Sequence, residues 1–202
     1  RDRDVTGVQT CALPIFSGSD TDTGTTLTYD ISGSSSASYT SSASGSSVTY
    51  NKSKAGTYGT LYLESSTGKY LYVANASSVD AIPSGTNPSE SFTFSVTDSI
   101  ATTTTSYTVN ITGANESPTL ASVTSGSVAD QANSSTLGTT SNLYGTLAGS
   151  DPDTGTTLTY DISGSSSASY TSSASGSSVT YNKSKAGTYG TLYLESSTGK
   201  YL

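Results

Sequence analysis

The sequence predicts an all-β protein built from tandem antiparallel β-sandwich repeats. Three observations predict this fold class: short segments alternate between apolar and polar residues, turn-forming residues separate these segments, and one long stretch occurs twice. No stretch shows the apolar spacing of an amphipathic helix. Each repeat has room for about seven or eight strands, which suits an antiparallel sandwich.

Internal repetition is the strongest of these signals. The segment Gly18–Leu71 recurs as Gly149–Leu202, displaced by 131 residues and with one mismatch. Residues 16–112 therefore represent most of one repeat, and residues 113–202 represent the first part of the next. Near-identity of this kind indicates a long array kept uniform by recombination. Duplication during read assembly is the alternative interpretation.

The N-terminal segment has a different origin from the repeats. The residues from Val5 to Ile15 match the in-frame translation of a common sequencing-library adapter, and the preceding residues fit its upstream bases and a barcode. We therefore interpret residues 1–15 as an adapter-derived part of a metagenomic fragment and expect native sequence from about Phe16. This segment contains both arginines and the only cysteine, Cys11.

The remaining chain is acidic and lacks the usual catalytic side chains. From residue 16 onward it has six Lys against thirteen Asp and Glu, and no Arg, Cys, His, Met or Trp. This balance argues against a nucleic-acid partner, because phosphate neutralisation needs clustered Lys and Arg. Without Cys or His, thiolate metal sites and the usual nucleophilic or zinc-based arrangements are excluded. We therefore predict a protein that is not an enzyme and has no membrane span in this segment, since no apolar run approaches about 20 residues.

A hairpin is predicted in the middle of the repeat. The segments Leu61–Glu64 and Lys69–Val73 flank the four turn-forming residues of Ser65–Gly68. This spacing predicts two antiparallel strands joined by a short turn, with Glu64 opposite Lys69.

Two longer strands are predicted further along, with shorter candidates at Leu27–Ser32, Ser47–Asn51 and Gly126–Asp130. Both longer strands alternate with period two, which directs their apolar residues to one face. These inward residues are Phe92, Phe94 and Val96 in Ser91–Thr97, and Tyr107, Val109 and Ile111 in Ser106–Thr112.

Four motifs point to one family. They are GTYGTLYL (56–63) followed by TGKY (67–70), the strand SFTFSVTD (91–98), the strand and linker TVNITGANESP (108–118), and GSDPDTGTTLTY (149–160) with its copy at 18–29. Together they resemble the VCBS-type repeat, a cadherin-like module of giant bacterial adhesins, over the chain after residue 16. The chain departs from that pattern at Glu116, where the linker usually has Asp, and at Ser99, where Gly commonly follows Asp98.

The resemblance implies an immunoglobulin- or cadherin-like β-sandwich. Such a module serves as a spacer or adhesive repeat on the extracellular bacterial surface, in proteins of the biofilm type, and is often stabilised by calcium. The implied partners are the neighbouring repeats of the same chain and surface polysaccharide.

Oxygen-bearing side chains at the repeat junction are the candidate calcium ligands. Calcium prefers several hard oxygen ligands, and an Asp-x-Asp pair before Gly can direct two carboxylates to one ion. The alternative is that these aspartates are turn residues that form Asx hydrogen bonds. The candidate ligands are Asp151, Asp153, Asn115, Glu116 and Asp98, with Asp20 and Asp22 as the equivalent pair of the first copy.

Carbohydrate binding by exposed tyrosines is a second possible function. Sugar rings stack on exposed aromatic faces, and Tyr62, Tyr70 and Tyr72 lie on the predicted hairpin. The alternative is that Tyr58, Tyr70 and Tyr107 fill the core while the others cover the sheet faces. An exposed, coplanar row would favour the lectin-like function, and buried rings would favour the spacer.

Overall fold

The computed structural model of the protein describes residues 15–42, 46–132, 138, 140–141 and 143–202. Residues 1–14 of the predicted adapter-derived segment, Cys11 among them, lie outside the described residues. The chain divides into two compact units, of which the first ends at Asn115 and the second begins at Glu116.

The first unit is almost entirely β, as the sequence predicted. Its strands are β1 (Thr28–Ile31), β2 (Ser35–Ser41), β3 (Val48–Ala55), β4 (Gly59–Leu63), β5 (Tyr70–Ala74), β6 (Ser89–Thr97) and β7 (Thr102–Asn110). They form two antiparallel sheets with the strand orders β1-β6-β7 and β2-β3-β4-β5.

One short helix, α1 (Ala76–Asp80), follows β5. Asn75 caps it, because the Asn75 side chain accepts a hydrogen bond from the N–H of Ser78 at 3.3 Å. The sequence pattern predicted no helix. Five residues are too few to establish a helical period, so the pattern gave no signal here.

Both sheets of the first unit contribute to one core. Leu61 and Leu63 of β4 are 0% exposed, and Phe94 of β6 is 2% exposed. The apolar faces predicted for the two long strands are confirmed. Their apolar side chains lie in this core or pack against it, and Ile111 is buried as well. The buried centre consists of Tyr29, Ile31, Leu61, Leu63, Phe92 and Phe94.

The predicted hairpin is also confirmed. Strands β4 and β5 pair with Leu63 opposite Tyr70, and the N–H of Glu64 donates to the carbonyl of Lys69 at 2.8 Å. The Glu64 carboxylate hydrogen-bonds to Ser66 and Thr67 of its own turn. The Glu64 carboxylate therefore stabilises the turn in which it lies.

The second unit repeats the middle of the first. Its strands are β8 (Thr119–Leu120), β9 (Ser127–Val128), β10 (Thr140–Ser141), β11 (Gly145–Thr146), β12 (Gly149–Ser150), β13 (Ser166–Ser172), β14 (Val179–Ala186), β15 (Thr191–Leu194) and β16 (Lys200–Tyr201). One sheet has the order β11-β16-β15-β14-β13, and two small ribbons pair β12 with β8 and β10 with β9. Residues Thr159–Ile162, which correspond to β1, are described but form no strand.

Candidate calcium site and aromatic clusters

The second unit brings its Asp-x-Asp segment against the linker that enters it. Strand β8 of the linker pairs with β12, so the chain before Thr119 runs beside the chain after Ser150. As a result, the N–H of Glu116 donates to Oδ2 of Asp153 at 3.2 Å. The N–H of Asp153 in turn donates to Oδ1 of Asp151 at 2.9 Å. Three of the predicted ligand residues therefore lie together.

Asp153 is the most unusual residue of this group. It is only 6% exposed, and its Oδ1 atom is buried with no hydrogen-bond partner in the described part of the chain. Oε2 of Glu116 is buried too. A buried carboxylate oxygen of this kind is costly unless a cation or a proton compensates for the lost water.

The side chains at this place have the chemistry that calcium needs. Calcium accepts mono- or bidentate carboxylates, backbone carbonyls and waters in a flexible shell. Among the described residues, however, no group of three or more Asp, Glu, His and Cys side chains has a metal-binding arrangement. Carboxylates of Asp151 and Asp153 would thus need carbonyl or water oxygens to complete the shell.

The equivalent pair in the first unit forms an ordinary turn. The N–H of Asp22 donates to Oδ1 of Asp20 at 2.7 Å, and both residues are exposed. No described segment of the first unit takes the place that β8 has beside the second pair. The Asx turn is therefore common to both copies, whereas only Asp153, which has the linker strand beside its segment, is buried.

Asp98 lies in the first unit, after β6. Its Oδ1 accepts the N–H groups of Ala101 at 2.6 Å and Ile100 at 2.8 Å, and these bonds hold the pKa of Asp98 below its usual value. Its carboxyl group also interacts with that of Asp20. The predicted ligand set is thus divided: Asp20, Asp22, Asp98 and Asn115 belong to the first unit, and Glu116, Asp151 and Asp153 belong to the second.

The three candidate tyrosines for sugar binding do not form one row. Leu63 is opposite Tyr70 and Leu61 is opposite Tyr72, while Tyr62 occupies the alternate position of β4. Because successive strand residues point to opposite faces, Tyr62 lies on the face opposite to Tyr70 and Tyr72. The latter two rings pack against the core.

A separate tyrosine cluster recurs in both units. Tyr39 and Tyr62 stack with ring centroids 4.2 Å apart, and the equivalent rings of the second unit, Tyr170 and Tyr193, are 4.3 Å apart. Beside each stacked pair lies a tyrosine that is 1% exposed, Tyr50 in the first unit. Since the geometry is the same in both copies, this cluster forms without the β6–β7 hairpin.

Glu90 joins two parts of the first unit, and no sequence pattern indicated this role. Its carboxylate, at the start of β6, accepts the N–H of Thr57 at 2.7 Å, the N–H of Tyr58 at 3.2 Å and the hydroxyl of Tyr72. Burial, together with this carboxylate, raises the pKa of the Tyr72 phenol. Gly56 lies so close to the carboxylate that a Cβ atom there would clash with it. Through these hydrogen bonds, Glu90 links the β1-β6-β7 sheet to the turn between β3 and β4 in the other sheet.

Comparison with protein-family models, with curated proteins and with solved structures finds no match to this chain. Within the described residues, none of the helices has the length and apolar character that crossing a bilayer requires. The repeat and the geometry of its sites are therefore the basis for a functional proposal.

Proposed function

We propose that the chain carries most of one copy and the first part of the next copy of an extracellular spacer repeat from a bacterial surface adhesin of the biofilm type. Each copy, when complete, would be an immunoglobulin- or cadherin-like β-sandwich without catalytic activity. The observation that carries the proposal is the near-identity of Gly18–Leu71 and Gly149–Leu202. Tandem copies with their own cores build length by repetition, since each repeat needs contacts only with its neighbours.

Calcium at the place where a linker strand enters a repeat, as it does in the second unit, is part of this proposal. Asp151 and Asp153 would hold the ion, with Glu116 of the linker contributing from the adjoining segment. The support is the buried Oδ1 of Asp153, which a divalent cation would compensate. The ion would also reduce the electrostatic repulsion between carboxylates along the acidic chain. At physiological ionic strength this repulsion extends about 8 Å. A linker held in this way would be stiffer than one held by β8 alone.

Small-angle scattering of tandem arrays tests the spacer function. Two and four copies of the 131-residue period, residues 18–148, would be compared in millimolar calcium and in chelator. The maximum dimension should increase in proportion to copy number and should be larger in calcium. A dimension that grew much more slowly than copy number would contradict the spacer function.

The calcium site is tested by titration calorimetry on the 202-residue chain. Replacing Asp151 and Asp153 by Asn should abolish calcium binding and the calcium-dependent rise in melting temperature. The matched control replaces the exposed pair Asp20 and Asp22 by Asn, and it should keep both responses. Equal losses in the two variants, or no binding by the unmodified chain, would remove calcium from the proposal and leave the spacer function standing.

A further inference from the structure

Tyrosine is the most readily oxidised side chain in the part of the chain that follows the N-terminal segment. The sequence has 15 Tyr against 3 Phe, and from residue 16 onward it contains no Cys, Met, Trp or His. Thiols and thioethers are the side chains that common oxidants attack first, and the only one in this sequence is Cys11. An oxidant that reaches the repeats therefore acts on phenol rings.

Two of these phenol rings are held face to face in the first unit. The ring centroids of Tyr39 in β2 and Tyr62 in β4 are 4.2 Å apart, and the ring planes are inclined by 18°. Strand β3 lies between β2 and β4 in the sheet, so the stack joins two strands that are not hydrogen-bonded to each other. Tyr50, which is 1% exposed, packs beside both rings at 6.3 Å from each. The stacked rings are thus supported by a buried neighbour while they stay partly exposed themselves.

The second unit forms the same stack. Tyr170 and Tyr193 have centroids 4.3 Å apart and planes inclined by 17°, and Tyr170 is 41% exposed. The buried neighbour is again present as Tyr181, at 6.4 and 6.3 Å from the two rings. Leu61 is buried and its equivalent Leu192 is 43% exposed, yet the stack is unchanged. Its geometry therefore does not depend on how completely the core is covered.

This geometry suits the formation of a carbon–carbon bond between the rings. Such a bond forms through orbitals perpendicular to the ring planes, so two parallel rings in contact are already oriented for it. Holding both partners in place also makes the coupling an intramolecular step. The next closest tyrosine pair among the described residues, Tyr70 and Tyr107, is 5.1 Å apart and nearly edge to face at 66°, and both rings pack against the core. That pair lacks both the orientation and the access.

We propose that the stacked tyrosine pair of each unit is a site of oxidative cross-linking, at which a peroxide-driven one-electron oxidant joins the two rings as dityrosine. Each phenol loses one electron and one proton, and hydrogen peroxide takes up both electrons and both protons to become two molecules of water. The two phenoxyl radicals join at the ring carbons next to their oxygens. The hydrogen on each of these carbons then moves to the adjacent oxygen and restores the phenol. This inference rests on ring geometry and composition and is independent of the proposed function.

The consequence of the reaction is a covalent link across the sheet. In the first unit it would connect β2 to β4 and enclose β3 between the linked residues. A cross-link of this kind stabilises a fold by restricting the unfolded chain. The oxidised chain should therefore melt at a higher temperature than the untreated chain.

The test treats the dilute 202-residue chain, with Cys11 blocked by alkylation, with hydrogen peroxide and a small haem-peptide catalyst. Formation of dityrosine from N-acetyltyrosine under the same conditions verifies the oxidant. Cleavage after lysine separates the two tyrosines of each pair, since two lysines lie between them. Mass spectrometry should then show the two peptides of each pair joined, with the loss of two hydrogen atoms, in a product that is still monomeric. Absence of an internal link, or links mainly between other tyrosines, would overturn the proposal.

Variants that keep the aromatic ring locate the reaction. Tyr39→Phe preserves the packing but lacks the phenol, so it should lose the link and the rise in melting temperature of the first unit and keep the link of the second. Tyr58→Phe is the matched control, because Tyr58 is also partly buried and lies close to Tyr62 in sequence. This control should form both links. Persistence of the first link in Tyr39→Phe, or its loss in Tyr58→Phe, would show that other tyrosines react.

Discussion

Replacing Glu90 by Ala should destabilise the first unit by about 3 kcal/mol. The carboxylate accepts three hydrogen bonds, of which the one from Thr57 is exposed and those from Tyr58 and Tyr72 are partly buried. Water can replace the exposed bond, so it contributes little. Hydrogen bonds to a charged group contribute about 1.5 kcal/mol each at the lower end of their range, and the two partly buried bonds therefore give about 3 kcal/mol.

Thermal unfolding and hydrogen exchange measure this effect. For a unit of about 100 residues, 3 kcal/mol corresponds to a decrease of about 12–20 °C in melting temperature. The amides of β6 should exchange about a hundredfold faster, because each 1.4 kcal/mol is about a factor of ten. Tyr72→Phe, which removes one bond, should have a smaller effect in the same direction.

Glu64→Ala is the matched control. Among the described residues, the Glu64 carboxylate is bound only by Ser66 and Thr67 of its own exposed turn, so its loss should cost less than about 1 kcal/mol. If Glu90→Ala cost no more than this control, the inference that Glu90 ties the two sheets together would be wrong.

Three further predictions follow from the geometry of single residues. Leu61→Ala should lower the free energy of unfolding by about 2–5 kcal/mol, whereas the same change at Leu192, which is 43% exposed, should lower it by less than about 1 kcal/mol. Denaturant unfolding of the two units measures both values, and equal costs would contradict the difference in burial. Ser99→Gly should stabilise the first unit by about 0.5–1 kcal/mol in thermal unfolding, because Ser99 has a φ of 77°, where only Gly is unstrained. A loss of stability in this variant would show that the serine side chain matters more than the backbone strain. Hydrogen bonds from the hydroxyls of Thr198 and Ser197 lower the pKa of Glu195 from 4.5 to about 2, so its stabilising contribution should be complete above pH 4.5 and disappear as the pH falls toward 2. An NMR titration should give that midpoint, and Thr198→Val should raise it; an unchanged midpoint in this variant would rule out the hydroxyl as the main cause.

Local periodicity determined much of the fold from the sequence alone. The inward faces of β6 and β7 and the β4–β5 hairpin could be predicted, because strand alternation and turn residues are properties of neighbouring positions. The repeat could be read directly, since it requires no structural knowledge. The sequence left the Asx turn open as the alternative to calcium binding at the Asp-x-Asp pairs, and both pairs form the hydrogen bond of that turn.

Contacts between distant segments were decided only by the tertiary structure. Glu90 and Thr57 are far apart in sequence, so no local pattern could predict their hydrogen bond. The segments around Asp22 and Asp153 differ in sequence only at the preceding residue, Thr21 against Pro152, yet only Asp153 is buried, and β8 lies beside its segment. Identical residues thus acquire different environments from the strands packed against them, and a site that depends on a buried charge forms only where such a strand is present.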